Sequence, residues 1–144
     1  TYHVHLAQVE VDPDTGNVTV KRYVVAQEVG KMINPAGVLG QVQGAVSQAI
    51  GYTLYESLRM REGKFVEDRL ETYRLPLAVD IPDIEFIPMN HPTEDGPHGI
   101  RGVAEPAILL APAVIANAVS DAVGVPFYST PITPEHILKA ICNK

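Results

Sequence analysis

Glu105 is the residue whose setting most suggests chemistry. It follows the run from Gly99 to Ala104, stands among small and apolar neighbours, and precedes Pro106, which biases it toward an extended backbone. A carboxylate in apolar surroundings has its charged form disfavoured and makes a competent proton acceptor near neutral pH. The competing reading is a structural ion pair with Arg101. A second signal is the set Gln41, Gly44, Gln48 and Gly51, which fall together on one helix face at about 100° per residue. Glycine lowers helix stability by about 1 kcal/mol relative to alanine, so two on one face imply that something approaches closely. That is either another backbone, with the glutamines bonded to a neighbouring loop, or a polar heterocyclic ligand read by two amides that each donate and accept.

The remaining polar residues form no familiar constellation. His3 and His5 share a strand face and read as solvated, while His91 and His98 sit in a long loop, so none is assigned as a metal ligand. His98 lies close in sequence to Glu105, which leaves a loop role open. Glu67, Asp68 and Glu71 read as a solvated edge. Ser57 and Ser120 have no triad spacing, and neither Gly40 to Gly44 nor Gly99 to Gly102 fits a phosphate loop or a dinucleotide fingerprint. Cys142 stands alone, so no disulfide and no cysteine-ligated iron–sulfur cluster can be built from this chain, and any redox relay must come from a partner.

Composition narrows the classes. With 144 residues the chain has the material of a single domain, 1–144, able to bury a core without staples. A net charge of −6, 6% aromatics and no Lys/Arg cluster exclude a nucleic-acid footprint. The apolar run from Ala104 to Ala118 is interrupted by Glu105, Pro106 and Pro112 and falls short of the ~20 residues that cross a bilayer. No membrane span and no signal peptide are expected, and the expected compartment is cytoplasmic. The sequence opens at Thr1 as if in mid-strand, which suggests a piece of something longer.

The elements that must position these residues are legible in outline. Residues 2–11 and 18–29 flank turn chemistry at 12–17 and predict a β-hairpin, with a bulge where the alternation slips between Val4/Leu6 and Val9/Val11. Asn34-Pro35 starts a helix running to about Tyr55, with Val38, Val42, Ala45, Val46, Ala49 and Thr53 facing the core. Residues 57–75 predict a second hairpin turning at 61–64, and 84–89 a further strand. The loop from Asn90 to Val103 is long enough to suggest function. A helix over 112–123 ends at Gly124, a short strand falls near Phe127, and Thr133-Pro134 starts a last helix. The class is α+β: hairpins and short strands packed with a long cofactor-facing helix and two C-terminal helices.

Four motifs then occur in order along the chain: Gly30-Lys-Met-Ile-Asn-Pro35, Gly40-Gln-Val-Gln-Gly-Ala-Val-Ser-Gln-Ala-Ile-Gly51, Gly102-Val-Ala-Glu-Pro106 and Ala111-Pro-Ala-Val-Ile-Ala-Asn-Ala-Val-Ser-Asp-Ala122. Together they resemble the C-terminal part of the molybdenum-binding large subunit of the xanthine dehydrogenase/aldehyde oxidase family. The resemblance implies a molybdenum hydroxylase that oxidises an aldehyde or N-heterocycle, with water as oxygen source and a molybdopterin-type cofactor shared with a segment beyond this chain. It implies that Glu105 is the catalytic general base, taking the proton from a metal-bound hydroxyl, and that Gln41 hydrogen-bonds the pterin. Gln48 and Gly44 share that face and join it as candidate cofactor-binding residues. Iron–sulfur clusters, and in some members FAD, would sit on partner chains: an iron–sulfur subunit, a flavin subunit and the remainder of the molybdenum subunit. The sequence departs from the family at Ala104, where a glycine is usual, and at Glu28, where an aspartate is common. Two other classes remain: a non-catalytic scaffold module of the same fold that binds a partner chain, and a hydrolase pairing Glu105 with Glu94 or Asp95.

Overall fold

A computed structural model describes residues 1–143. Its first elements are β1 (His3–Val11) and β2 (Val18–Glu28), an antiparallel hairpin. The turn is built by Asp12, whose carboxylate accepts from the Asp14 amide at 2.9 Å and the Thr15 hydroxyl at 2.7 Å. Gly16 closes it with φ +73°, where a Cβ would also collide with the Pro134 carbonyl.

The bulge is present, but the slip in hydrophobicity along β1 has another cause. Register changes between Gln8, opposite Arg22, and Val9, opposite Val20, so the extra residue is Lys21 on β2. Along β1 the odd-numbered residues face inward throughout. Val4 and Leu6 are 59% and 64% exposed, and it is His5 that is buried. The expectation of a solvated face at His5 is therefore corrected: polar and apolar residues have exchanged their usual faces at the start of this strand.

The helix α1 (Pro35–Leu54) begins as expected, with the Asn34 side chain accepting from the Gly37 amide. Val42, Ala45, Val46, Ala49, Ile50 and Leu54 are buried, while Val38 is only half-buried. After it the chain returns as β5 (Ile84–Met89), which pairs parallel to β2 with Tyr23 beside Ile84. A parallel neighbour requires a crossover, and α1 with the segment after it supplies one. The sheet order is β1-β2-β5.

The second hairpin is much shorter than 57–75. Only β3 (Met60–Arg61) and β4 (Lys64–Phe65) pair, across a turn in which Glu62 and Gly63 both have positive φ. The ladder stops because Glu67 turns inward: its carboxylate accepts from the Arg59 amide at 2.7 Å and from the Arg59 guanidinium at 2.6 Å. Glu67 is thus buried rather than part of a solvated edge.

Three helices follow: α2 (Ala104–Leu109), α3 (Ala111–Val123) and α4 (Pro134–Cys142), the last capped by the Thr133 side chain. Gly124 ends α3 in the left-handed conformation with φ +71°. No strand forms near Phe127. Its amide donates to the Ser120 hydroxyl at 3.0 Å instead of to a neighbouring strand, and Pro126 and Pro131 bracket the segment.

The extended backbone expected at Glu105 is likewise replaced by helix. Pro106 falls in the first turn of α2, where amides have no intrahelical acceptor, so its missing N–H costs nothing. Taken as one run, Ala104–Val123 is 20 residues long and apolar enough to cross a bilayer by length and composition, longer than the sequence reading allowed. In the fold it breaks at Leu110, and Ala107, Ala111, Ile115 and Val119 are buried, with α3 against β1 and α1. These side chains, with Tyr23, Val25, Val46 and Ile137, make the core.

Candidate functional site

Gln41, Gly44 and Gln48 lie three and four residues apart, so they share one face of α1, and α2 packs against that helix. Between the two helices runs an open groove of about 390 Å³, lined by Gly40, Gln41, Gly44, Ala45 and Gln48 from α1 and Ala104, Glu105 and Ile108 from α2. The groove gathers the four site residues singled out in the sequence. Gln41, Gln48 and Glu105 are exposed to it.

The glycine stripe divides in two. Among the described residues a Cβ at Gly40 or Gly44 would meet nothing within 4 Å, so this stretch of α1 is an open floor and not a seat for another described backbone segment. Gly51, by contrast, is buried, and a Cβ there would collide with the Glu56 carboxylate and come within 3.1 Å of Pro76. Close approach therefore occurs at Gly51, by the side chains of Glu56 and Pro76 and not by another backbone, and does not occur at Gly44 among the described residues.

Glu105 reaches the groove through a clamped loop. The amide of Arg101 donates to the Val29 carbonyl at 3.2 Å, that of Lys31 to the Gly99 carbonyl at 2.7 Å, and Gly30 bridges Ile100. Gly30 has φ +63° and sits so near the Gly99 carbonyl that a Cβ would collide with it. Gln27, fully buried, donates from Nε2 to the Val103 carbonyl at 2.9 Å. Glu28 secures the far end: its carboxylate accepts from the Gly30 amide at 2.9 Å, the His91 amide at 3.0 Å and His91 Nδ1 at 2.6 Å. Burial works to raise the Glu28 pKa, but these hydrogen bonds outweigh it and hold it down to about 2.

The surroundings of Glu105 differ from the expectation. Its side chain is exposed in this chain, so apolar enclosure on its open side is not supplied by these residues. No ion pair joins it to Arg101 among the described residues. His98, Glu94 and Asp95 are exposed in the preceding loop and do not line the groove, which removes the partner the hydrolase reading required. Among the described residues no group of three His, Cys, Asp or Glu side chains is placed to hold a metal ion.

Sequence reasoning missed Gln27. The available signal was its phase: Tyr23, Val25 and Gln27 alternate on the inward face of β2, and an amide there must bond to something internal.

The groove suits a flat polar ligand. Two amides offer donors and acceptors along a glycine floor, with a carboxylate opposite. Residues 1–82 match the family model described as a molybdopterin cofactor-binding domain. The chain belongs to that family. Within it, the chain is 39% identical over 140 residues to the 6-hydroxypseudooxynicotine dehydrogenase complex subunit gamma of Paenarthrobacter nicotinovorans, covering 94% of this chain and 18% of the relative. It is 35% identical over 141 residues to the aldehyde oxidoreductase of Megalodesulfovibrio gigas, covering 97% of this chain and 15% of that one. The quinoline 2-oxidoreductase of Pseudomonas putida 86 shares the fold with a TM-score of 0.91 at 36% identity, over 97% of this chain and 18% of its own. The resemblance drawn from the four motifs is borne out. The chain spans under a fifth of the length of these members of the family.

Proposed function

We propose that residues 1–144 act as one unit, forming a wall of the active site in a molybdenum hydroxylase that oxidises an aldehyde or N-heterocycle with water as oxygen source. The observation that carries this reading is the convergence of Gln41, Gln48 and Glu105, from two helices, on a single open groove in a chain of the molybdopterin-binding family. Gln41 would bond the pterin edge, Gln48 would extend that contact, and Gly44 would let the ligand lie close to α1. The bound cofactor would supply a two-electron redox centre and a Lewis acid toward water. Glu105, as general base, would take up the proton that water gives up on attacking the substrate carbon. Electrons would leave through an iron–sulfur subunit, and in a flavin-containing assembly through FAD, because Cys142 is the sole cysteine here. The remainder of the molybdenum subunit would close the groove and enclose Glu105, in a cytoplasmic complex.

The test is Glu105→Gln in the assembled complex, with molybdenum measured across a size-exclusion profile. The expected result is near-complete loss of turnover with metal content unchanged. Normal turnover in the variant would remove Glu105 as base, and a complex that never carries molybdenum would favour the scaffold reading.

A further inference from the structure

We propose that Gln27 is a positioning residue for Glu105, a role that rests on the reading of Glu105 above. The helix α2 has six residues and no side-chain N-cap. A helix this short takes its orientation from its contacts: Ala107 and Ile108 hold its body against the core, and the start of the helix, where Glu105 stands, depends also on what holds Val103, the residue at the cap. The described side chain that does so is Gln27, through the 2.9 Å bond from its Nε2 to the Val103 carbonyl.

Stability alone does not account for an amide at this position. Gln27 is fully buried, and among the described residues its Oε1 has no hydrogen-bond partner. A buried, unpaired amide oxygen carries a desolvation cost that an apolar side chain of similar size avoids. What the amide adds over such a side chain is one directed bond, and that bond goes to the backbone two residues before Glu105. The neighbouring residue completes the device. Successive strand side chains point to opposite faces, so Gln27 and Glu28 hold the loop from either side of one strand end: Gln27 at Val103, where the loop enters α2, and Glu28 at His91, where it begins.

The test is Gln27→Met in the assembled complex, read by steady-state kinetics and by hydrogen–deuterium exchange. The expected result is a fall in kcat of roughly 10- to 100-fold with KM and molybdenum content unchanged, the scale of a misplaced catalytic group. Exchange should rise in peptides spanning residues 99–109 and stay unchanged in peptides from 35–54. A uniform rise in exchange across both regions would assign Gln27 to general stability and overturn the proposal, as would unchanged kcat with unchanged exchange. If Q27M does not accumulate as folded protein, Gln27→Asn keeps the amide but is one methylene short of Val103, and the same local rise in exchange and fall in kcat are expected. An inactive E105Q beside a Q27M normal in both readouts would overturn the positioning role and leave Glu105 as base. A fully active E105Q would overturn both.

Discussion

The Nδ1 of His5 and the phenol oxygen of Tyr23 lie 2.9 Å apart in the core, joining β1 to β2 through a buried polar bond. The two rings meet edge-on, and the His3 ring also meets that of His5 edge-on. Burial and the neighbouring His3 lower the His5 pKa to about 4, and burial raises that of Tyr23.

This pair gives the fold a pH dependence of defined sign. The unfolded chain protonates His5 near 6.5 and the folded one near 4, so between these values the unfolded state holds more protons. The stability associated with neutral His5 is complete above about pH 6.5 and is lost progressively as pH falls to about 4. Glu28 acts in a different window, between 4.5 and about 2. Urea unfolding at pH 7 and pH 5 should show wild type losing stability and His5→Gln losing less. Equal losses in the two proteins would refute the assignment.

Gly44→Ala separates stability from ligand binding. Its Cβ would meet nothing within 4 Å among the described residues, so the substitution should stabilise α1 by up to about 1 kcal/mol through helix propensity. The same methyl would stand in the groove, so molybdenum retention by the assembled complex should fall. Gly51→Ala should instead destabilise the fold, because its Cβ displaces the Glu56 carboxylate from Tyr73 and crowds Pro76, and a hydrogen bond to a charged group outweighs the helix-propensity gain. Unfolding curves for both variants, with metal content for the first, check the contrast. Full retention of metal by a stabilised G44A would exclude close contact at this position.

Gly30→Ala should act in the opposite direction to Gly44→Ala. The residue has φ +63° and its Cβ would collide with the Gly99 carbonyl, a backbone atom with no rotamer in which to retreat. A cost of about 1–2 kcal/mol from the left-handed conformation alone is expected, together with faster hydrogen exchange across residues 99–103. A variant with wild-type stability would show that the loop shifts freely, contrary to its bonds from Lys31 and Arg101.

How much of this was legible in the sequence depended on range. Caps and turns act over three or four residues, so Asn34, Thr133, Gly124 and the Asp12 turn marked their elements correctly. The stripe Gln41, Gly44, Gln48 could be read because helical spacing is local, and Glu105 because its motif resembles a family. The partners of Gln27 and Glu28 lie at Val103 and His91, far along the chain, and no periodicity connects them. Residue type is no guide to the facing of His5, because the inward position at that point of β1 belongs to an imidazole with a phenol to meet, and the apolar Val4 and Leu6 face outward. The helical backbone at Glu105 is not legible locally, because the pre-proline bias acts on a residue alone, and in the first turn of α2 tertiary contacts outweigh it.

The parallel pairing of β2 with β5 has a consequence for synthesis. The hairpin of β1 and β2 closes through a turn of a few residues and can form once Glu28 has emerged from the ribosome. The second edge of β2 is covered only by Ile84–Met89, which the ribosome adds after all of α1 and the short hairpin. During that interval the Val-rich β2 presents unpaired amides and carbonyls to other chains, a template for intermolecular strand pairing. A nascent chain stalled before Ile84 would therefore be sticky along one strand, and the yield of native protein should depend on how quickly translation crosses that stretch.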